Sequence, residues 1–103
     1  MCGITFVNNN KYETCVENDT LYHRGPDNTQ NLTIKSNKFI FNRLKINDLS
    51  DKGNQPFDIN DCILICNGEI YNHKELRNEL RNELSEEVTD GFFESNSDCE
   101  VII

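Results

Sequence analysis

The chain is 103 residues long, with 36% hydrophobic and 27% charged residues, enough for one domain with a modest core. Its 10 basic and 18 acidic side chains leave a formal charge of -8 and a sequence pI of about 4.6. No basic stripe offsets that charge, so neither nucleic acid nor an anionic membrane is expected as a partner. The opening MCGITFV lacks the basic n-region of a signal peptide, and no apolar run approaches the length of a membrane span. The 5 cysteines have no framework spacing, which points to reduced thiols and a cytoplasmic setting.

Residues 2–7, CGITFV, read as a short buried strand. Residues 11–22 are weakly patterned and suit a frayed helix, and HRGPDN is a loop. LTIK and FIFNRLKI are β-rich runs joined by the turn-like SNK, a hairpin signature. LSDKGNQP is a second loop. CILIC is a fully apolar run that reads as a buried strand ending at Asn67 and Gly68. Cys62 and Cys66 would share one side of that strand, with no His or second cysteine pair nearby. They are read as structural, and no metal site is expected. The sequons at Asn18 and Asn31 carry little weight in a chain that is not exported.

A helix is expected after Asn72, whose side chain caps it in capping-box spacing with Glu75. Leu76, Leu80 and Leu84 form its apolar stripe, and the Glu, Arg and Asn residues between them are assigned to solvent. SDCE repeats the capping-box spacing, with Ser97 as cap and Glu100 answering it. Residues 101–103 would open the buried face of that second helix, but one turn is too short to be stable. The reading is a chain cut from a longer frame, or half of a split one.

Cys2 has two readings. It is a small hydrophobe at the start of a strand, or, once Met1 is trimmed, a nucleophile carrying its own base. An α-amino group with a pKa of about 7.7–8.0 is well matched to a thiol near about 8.5. Attack on an amide carbonyl needs donors for the developing oxyanion, and an Asn side chain beside a glycine N–H supplies two. Asn67 and Gly68 are such a pair, although alone they read as an Asn-Gly turn.

MCGI, HRGPD, FNRLKIND, GNQPF, NGEIYNH and SDCEVI occur in order from the N-terminus to residue 102. Together they resemble the N-terminal glutaminase domain of glutamine-hydrolysing asparagine synthetases. These are class II glutamine amidotransferases of the N-terminal-nucleophile hydrolase superfamily. The resemblance implies an α+β fold, a four-layer αββα sandwich of which only the N-terminal part is present. The whole chain, residues 1–103, would be a partial amidotransferase domain without the ATP-dependent synthetase domain.

The resemblance further implies that Cys2 forms a γ-glutamyl thioester, with the Asn67 side chain and Gly68 N–H as oxyanion hole. Arg43 would hold the α-carboxylate of L-glutamine, with Leu44, Lys45, Ile46 and Asn47 lining the same subsite. Glu69 and Asp98 would hold the α-ammonium, and Arg24 and Gly25 would shape a supporting loop. No cofactor is implied for glutamine hydrolysis; ATP and Mg would belong to the absent synthetase domain, and the full-length family allows a homodimer. His23 and His73 receive no catalytic role.

Three departures stand beside this. Residues 11–21 lack an apolar helix pattern, Cys99 stands where the family often has threonine, and the chain stops early. Two other readings therefore stay open. One is an inactive remnant or interaction module needing a separately encoded remainder. The other is a glutaminase serving a different ammonia acceptor.

Overall fold

A computed structural model describes residues 1–8, 20–84 and 91–103. Among these, strands β1 (Gly3–Asn8), β2 (Asn28–Ile34) and β3 (Asn37–Arg43) form an antiparallel sheet in the order β1-β3-β2. A ribbon of β4 (Phe57–Ile59) and β5 (Cys62–Leu64) and the helix α1 (His73–Glu83) follow, and the chain closes in a 3-10 turn, Asp98–Ile102. The result is a small mixed α/β fold with antiparallel sheets and one helix.

The expected hairpin is β2 and β3. Lys35, at φ 55°, makes its turn, and Ile34 faces Asn37. β3 is the central strand, so its residues from Ile40 to Arg43 are all buried. The strand ends at Arg43, short of the LKI that the sequence placed in it. Leu44 N–H turns to the Cys2 sulfur and Lys45 N–H to the Asp27 carboxylate, so neither extends the ladder. The HRGPD loop lies against that end of β3: Asp27 N–H donates to Arg43 C=O, and Gly25 is so close to the Asn42 backbone that no side chain fits.

β1 pairs with β3 from Gly3 opposite Asn42 to Asn8 opposite Asn37. As an edge strand it is buried on one face only, through Gly3 and Val7, while Ile4 and Phe6 are exposed. The strand read as buried is therefore buried on one face. Strand alternation puts Cys2, Ile4 and Phe6 on the same face as Phe39, Phe41 and Arg43, and the Phe6 and Phe39 rings meet at 5.0 Å.

CILIC is also corrected. β5 has three residues, with Cys62 exposed and Ile63 and Leu64 half-buried. Asn60 and Asp61, at φ 50° and 63°, make the left-handed two-residue turn that a tight hairpin requires. Pairing then stops, because Cys66 N–H donates 2.6 Å to the Gln55 side chain instead of to a strand.

The helix starts after Asn72 as expected, but neither Asn72 nor Ser97 makes a side-chain cap. Glu100 is occupied elsewhere. Its carboxylate accepts from Glu94 N–H, Ser95 N–H, the Ser95 hydroxyl and Arg77. The leucine stripe is half-buried, while Arg77, assigned to solvent, is the buried residue of α1. Its guanidinium donates to the carbonyls of Ser95 and Ser97 at 2.9 and 2.6 Å and lies 4.3 Å over the Phe93 ring. Residues 11–19, where the frayed helix was expected, lie outside the described residues.

Buried polar residues outnumber buried apolar ones among the described residues. The C-terminal turn is thus held on α1 mainly by hydrogen bonds and one buried ion pair. Removing one member of such a pair strands the other charge, at a cost of about 3–5 kcal/mol. Arg77→Ala is therefore expected to lower unfolding stability by about 3 kcal/mol or more in urea. A loss below about 1 kcal/mol would contradict this packing.

Candidate active site

One end of the sheet opens into a cavity of about 280 Å³ between β3, the 66–69 loop and the C-terminal turn. Small-molecule pockets span about 300–1,000 Å³, so this one suits something the size of an amino acid. Cys2 lies in its wall. The strand register carries it there, because Cys2 precedes the Gly3–Asn42 pair and so reaches the end of β3. Its sulfur accepts from Leu44 N–H at 3.3 Å, and its thiol points to the Leu44 carbonyl at 3.7 Å.

The backbone nitrogen of Cys2 donates 3.0 Å to Oδ1 of Asn67, 65 residues away in sequence. This contact sets the orientation of the Asn67 amide. With Oδ1 engaged, Nδ2 is the end left to donate to another acceptor. Gly68 follows in an exposed stretch of the cavity wall, as does Glu69.

Arg43 is 5% exposed and also lines the cavity. Three of its five N–H donors go to the chain itself: to Ser50 C=O at 2.7 Å, to Asn54 Oδ1 at 2.8 Å and to Asp48 C=O. It braces the 48–54 loop as well as facing the cavity. A side chain at Gly53 would collide with its guanidinium.

Asp98 closes the opposite wall. Oδ1 accepts from Asn47 at 3.0 Å and Oδ2 from Ile70 N–H at 2.7 Å. Burial opposes its ionisation, but these hydrogen bonds and nearby His73 outweigh that and hold its carboxyl below the ordinary 3.8. Asp48 is likewise held low. Burial is again overcome, here by bonds from Ser50 and Asn96 and the charge of Arg43. Both are ionised at neutral pH.

Cys2, Arg43, Leu44, Ile46, Asn47, Asn67, Gly68, Glu69 and Asp98 all border this cavity. Lys45, expected there, does not, and Arg24 and Gly25, expected as a supporting loop, lie outside the lining. Lys45 turns outward to Asp51 at 3.1 Å. Arg24 sits beside the Met1 sulfur, and Gly25 is packed under Asn42. The sequence reading missed Phe41, Asp48, Gln55, Cys66 and Cys99, which also line it. Phe41 and Asp48 lay within the quoted FNRLKIND, Gln55 within GNQPF and Cys99 within SDCEVI, so a signal existed for all but Cys66. Among the described residues, no group of three or more His, Cys, Asp or Glu is placed to hold a metal ion, and no helix is long and apolar enough to cross a membrane.

A family model described as a glutamine amidotransferase domain matches residues 1–103. The chain belongs to the glutamine amidotransferase domain family. It is similar to asparagine synthetase [glutamine-hydrolyzing] 2 of Bacillus subtilis, 41% identical over 87 residues, covering 82% of this chain and 10% of that protein. A putative asparagine synthetase [glutamine-hydrolyzing] 2 of Methanocaldococcus jannaschii is 32% identical, covering 100% of this chain and 23% of its own length. The amidase chyE of Penicillium rubens is 38% identical over 82% of this chain and 12% of its own. The chain therefore spans less than a quarter of the length of these relatives. No solved structure matches it.

A carboxyl held below its ordinary value stabilises the fold while ionised, and that stability disappears as pH falls through the folded-state value. Unfolding stability in urea is accordingly expected to drop as pH falls below the ordinary 3.8 of Asp98. The drop should be shallower in Asp98→Asn, though not abolished, since Asp48 and Asp51 are also held low. Parallel curves for the two proteins would contradict the assignment.

Proposed function

We propose that this chain carries the glutamine-hydrolysing site of an asparagine synthetase-like enzyme, with Cys2 as nucleophile after removal of Met1. The observation that supports this best is the bond from Cys2 N to Asn67 Oδ1. That nitrogen would become the α-amine, and the neighbouring amide would serve the oxyanion. While Met1 is attached, that nitrogen is a peptide N–H and cannot act as a base. Once free, it takes the proton from Sγ as the sulfur attacks the side-chain carbonyl of L-glutamine.

The developing oxyanion then receives Nδ2 of Asn67 and the N–H of Gly68. The same amine returns its proton to the departing ammonia, leaving a γ-glutamyl thioester that water hydrolyses to glutamate. Arg43 offers its two remaining donors to the α-carboxylate, and the planar fork suits a carboxylate. Asp98 and Glu69 face the α-ammonium. Both oxygens of Asp98 already accept one hydrogen bond, which fixes the carboxylate while leaving lone pairs for a cation. Arg24 and Gly25 contribute by shaping the loop at the N-terminus. Lys45 contributes through its backbone, since its side chain faces Asp51.

The three-stranded sheet, the ribbon and α1 would be the N-terminal part of a four-layer αββα sandwich of the N-terminal-nucleophile type. Ammonia would pass to aspartate on a synthetase domain or separately encoded remainder, which would bind ATP and Mg, in the cytoplasm. The amidase among the relatives keeps another acceptor in view.

Glutamate release should fall at least about 10³-fold in Cys2→Ala, the scale of losing a nucleophile. Asn67→Ala should cost about 10²–10³-fold in kcat, the scale of one oxyanion donor. Equal rates in wild type and Cys2→Ala, measured on protein shown by intact mass to lack Met1, would overturn the reading.

A further inference from the structure

Two thiols in the cavity wall have no part in the proposed chemistry. Cys66 immediately precedes Asn67, and Cys99 immediately follows Asp98. Both are free, and they meet at Gly68. The Cys99 sulfur lies 3.9 Å from the Gly68 carbonyl, and a Cβ at Gly68 would lie 3.9 Å from the Cys66 sulfur. Both sulfurs therefore lie against the same residue, Gly68. Of the other described thiols, Cys62 is exposed on the ribbon, and the Cys2 sulfur is engaged by Leu44.

We propose that Cys66 and Cys99 are a peroxide-oxidised pair that closes to a disulfide across the wall of the cavity. The two partners differ in their access to a solvent-borne oxidant. Cys66 is half-exposed on the cavity, whereas Cys99 is 3% exposed. Burial, the Cys66 thiol and the charge of Asp98 push the Cys99 thiol up to about 12, so it waits as a protonated thiol.

Hydrogen peroxide is the oxidant. The Cys66 thiolate attacks one peroxide oxygen, the O–O bond breaks, and with one proton taken up the products are Cys66 sulfenic acid and water. The Cys99 sulfur then attacks the Cys66 sulfur. The S–S bond forms as the S–O bond breaks, and the departing hydroxyl leaves as water with the Cys99 proton. Overall, two thiols and one peroxide give one disulfide and two waters, and a thiol reductant reverses it.

The bridge would tie the residue before Asn67 to the residue after Asp98, fixing the separation of the two walls. That consequence for glutamine rests on the proposed function; the bond itself does not.

The test is a thiol map of the full chain after near-stoichiometric hydrogen peroxide, with remaining thiols blocked by iodoacetamide and peptides read under non-reducing conditions. A peptide pair joined through Cys66 and Cys99, two hydrogens lighter and separated by dithiothreitol, is expected. Cys66→Ser should abolish it. In Cys99→Thr, Cys66 should stall as a sulfenic acid captured by dimedone, well above the wild-type yield. If Cys99→Thr does not fold, the wild-type and Cys66→Ser maps decide alone. A dominant cross-link through Cys2, Cys15 or Cys62, or Cys66 and Cys99 both blocked by iodoacetamide after peroxide, would overturn the proposal. The map needs no glutamine turnover. A bridged but inactive chain upholds the pair and counts against the glutaminase reading, and an active chain without the bridge does the reverse.

Discussion

The carboxylate of Asp98 is the joint on which the cavity depends. It accepts from Asn47, just beyond the end of β3, and from Ile70, just beyond the oxyanion candidates Asn67 and Gly68. Three stretches far apart in sequence therefore converge on one buried side chain. A hydrogen bond to a charged group contributes about 1.5–3 kcal/mol, and leaving such a charge buried without partners costs more. With few buried apolar residues available, directional polar contacts hold the walls in place. Asp48 repeats the device by binding Asn96 N–H, and Glu100 by binding the 94–95 backbone and Arg77.

That arrangement has a chemical consequence. The residues that position the walls also line the cavity: Arg43 braces the 48–54 loop and borders the cavity, and Asp98 pins two loops and borders it too. Each is held in one orientation before anything binds, which is the condition for efficient electrostatic recognition of a zwitterion. Cys2 is placed by different means. Antiparallel pairing with β3 delivers it, and Asn67 and Leu44 then fix its nitrogen and sulfur separately.

How far the sequence foretold this depended on the kind of interaction. The β2–β3 hairpin and the start of α1 were legible, because alternation, turn residues and helical spacing are local signals. The site was legible through ordered motifs, and nine of the residues they named do border one cavity. Long-range competition for polar groups was not legible. Asn72 and Ser97 had the composition of caps, yet Glu100 was drawn to Arg77 and the 94–95 backbone, contacts that no local pattern encodes. Arg77 itself looked like a surface charge because buried guanidinium and exposed guanidinium have the same sequence signature. CILIC looked like a long strand because nothing in it announces that Gln55 will take the Cys66 N–H. The pairing of Cys66 with Cys99 was invisible for the same reason: their nearness exists only once the C-terminal turn has docked.

The central claim is that Cys2, with a free α-amine, is the nucleophile of a glutamine-sized cavity. An electrophilic glutamine analogue carrying a diazoketone in place of the side-chain amide tests it by intact mass and peptide mapping. The account predicts one adduct per chain, on Cys2, in protein lacking Met1, suppressed by excess L-glutamine and absent from protein that retains Met1. An adduct on Cys66 or Cys99 instead, or equal labelling with and without Met1, would contradict it.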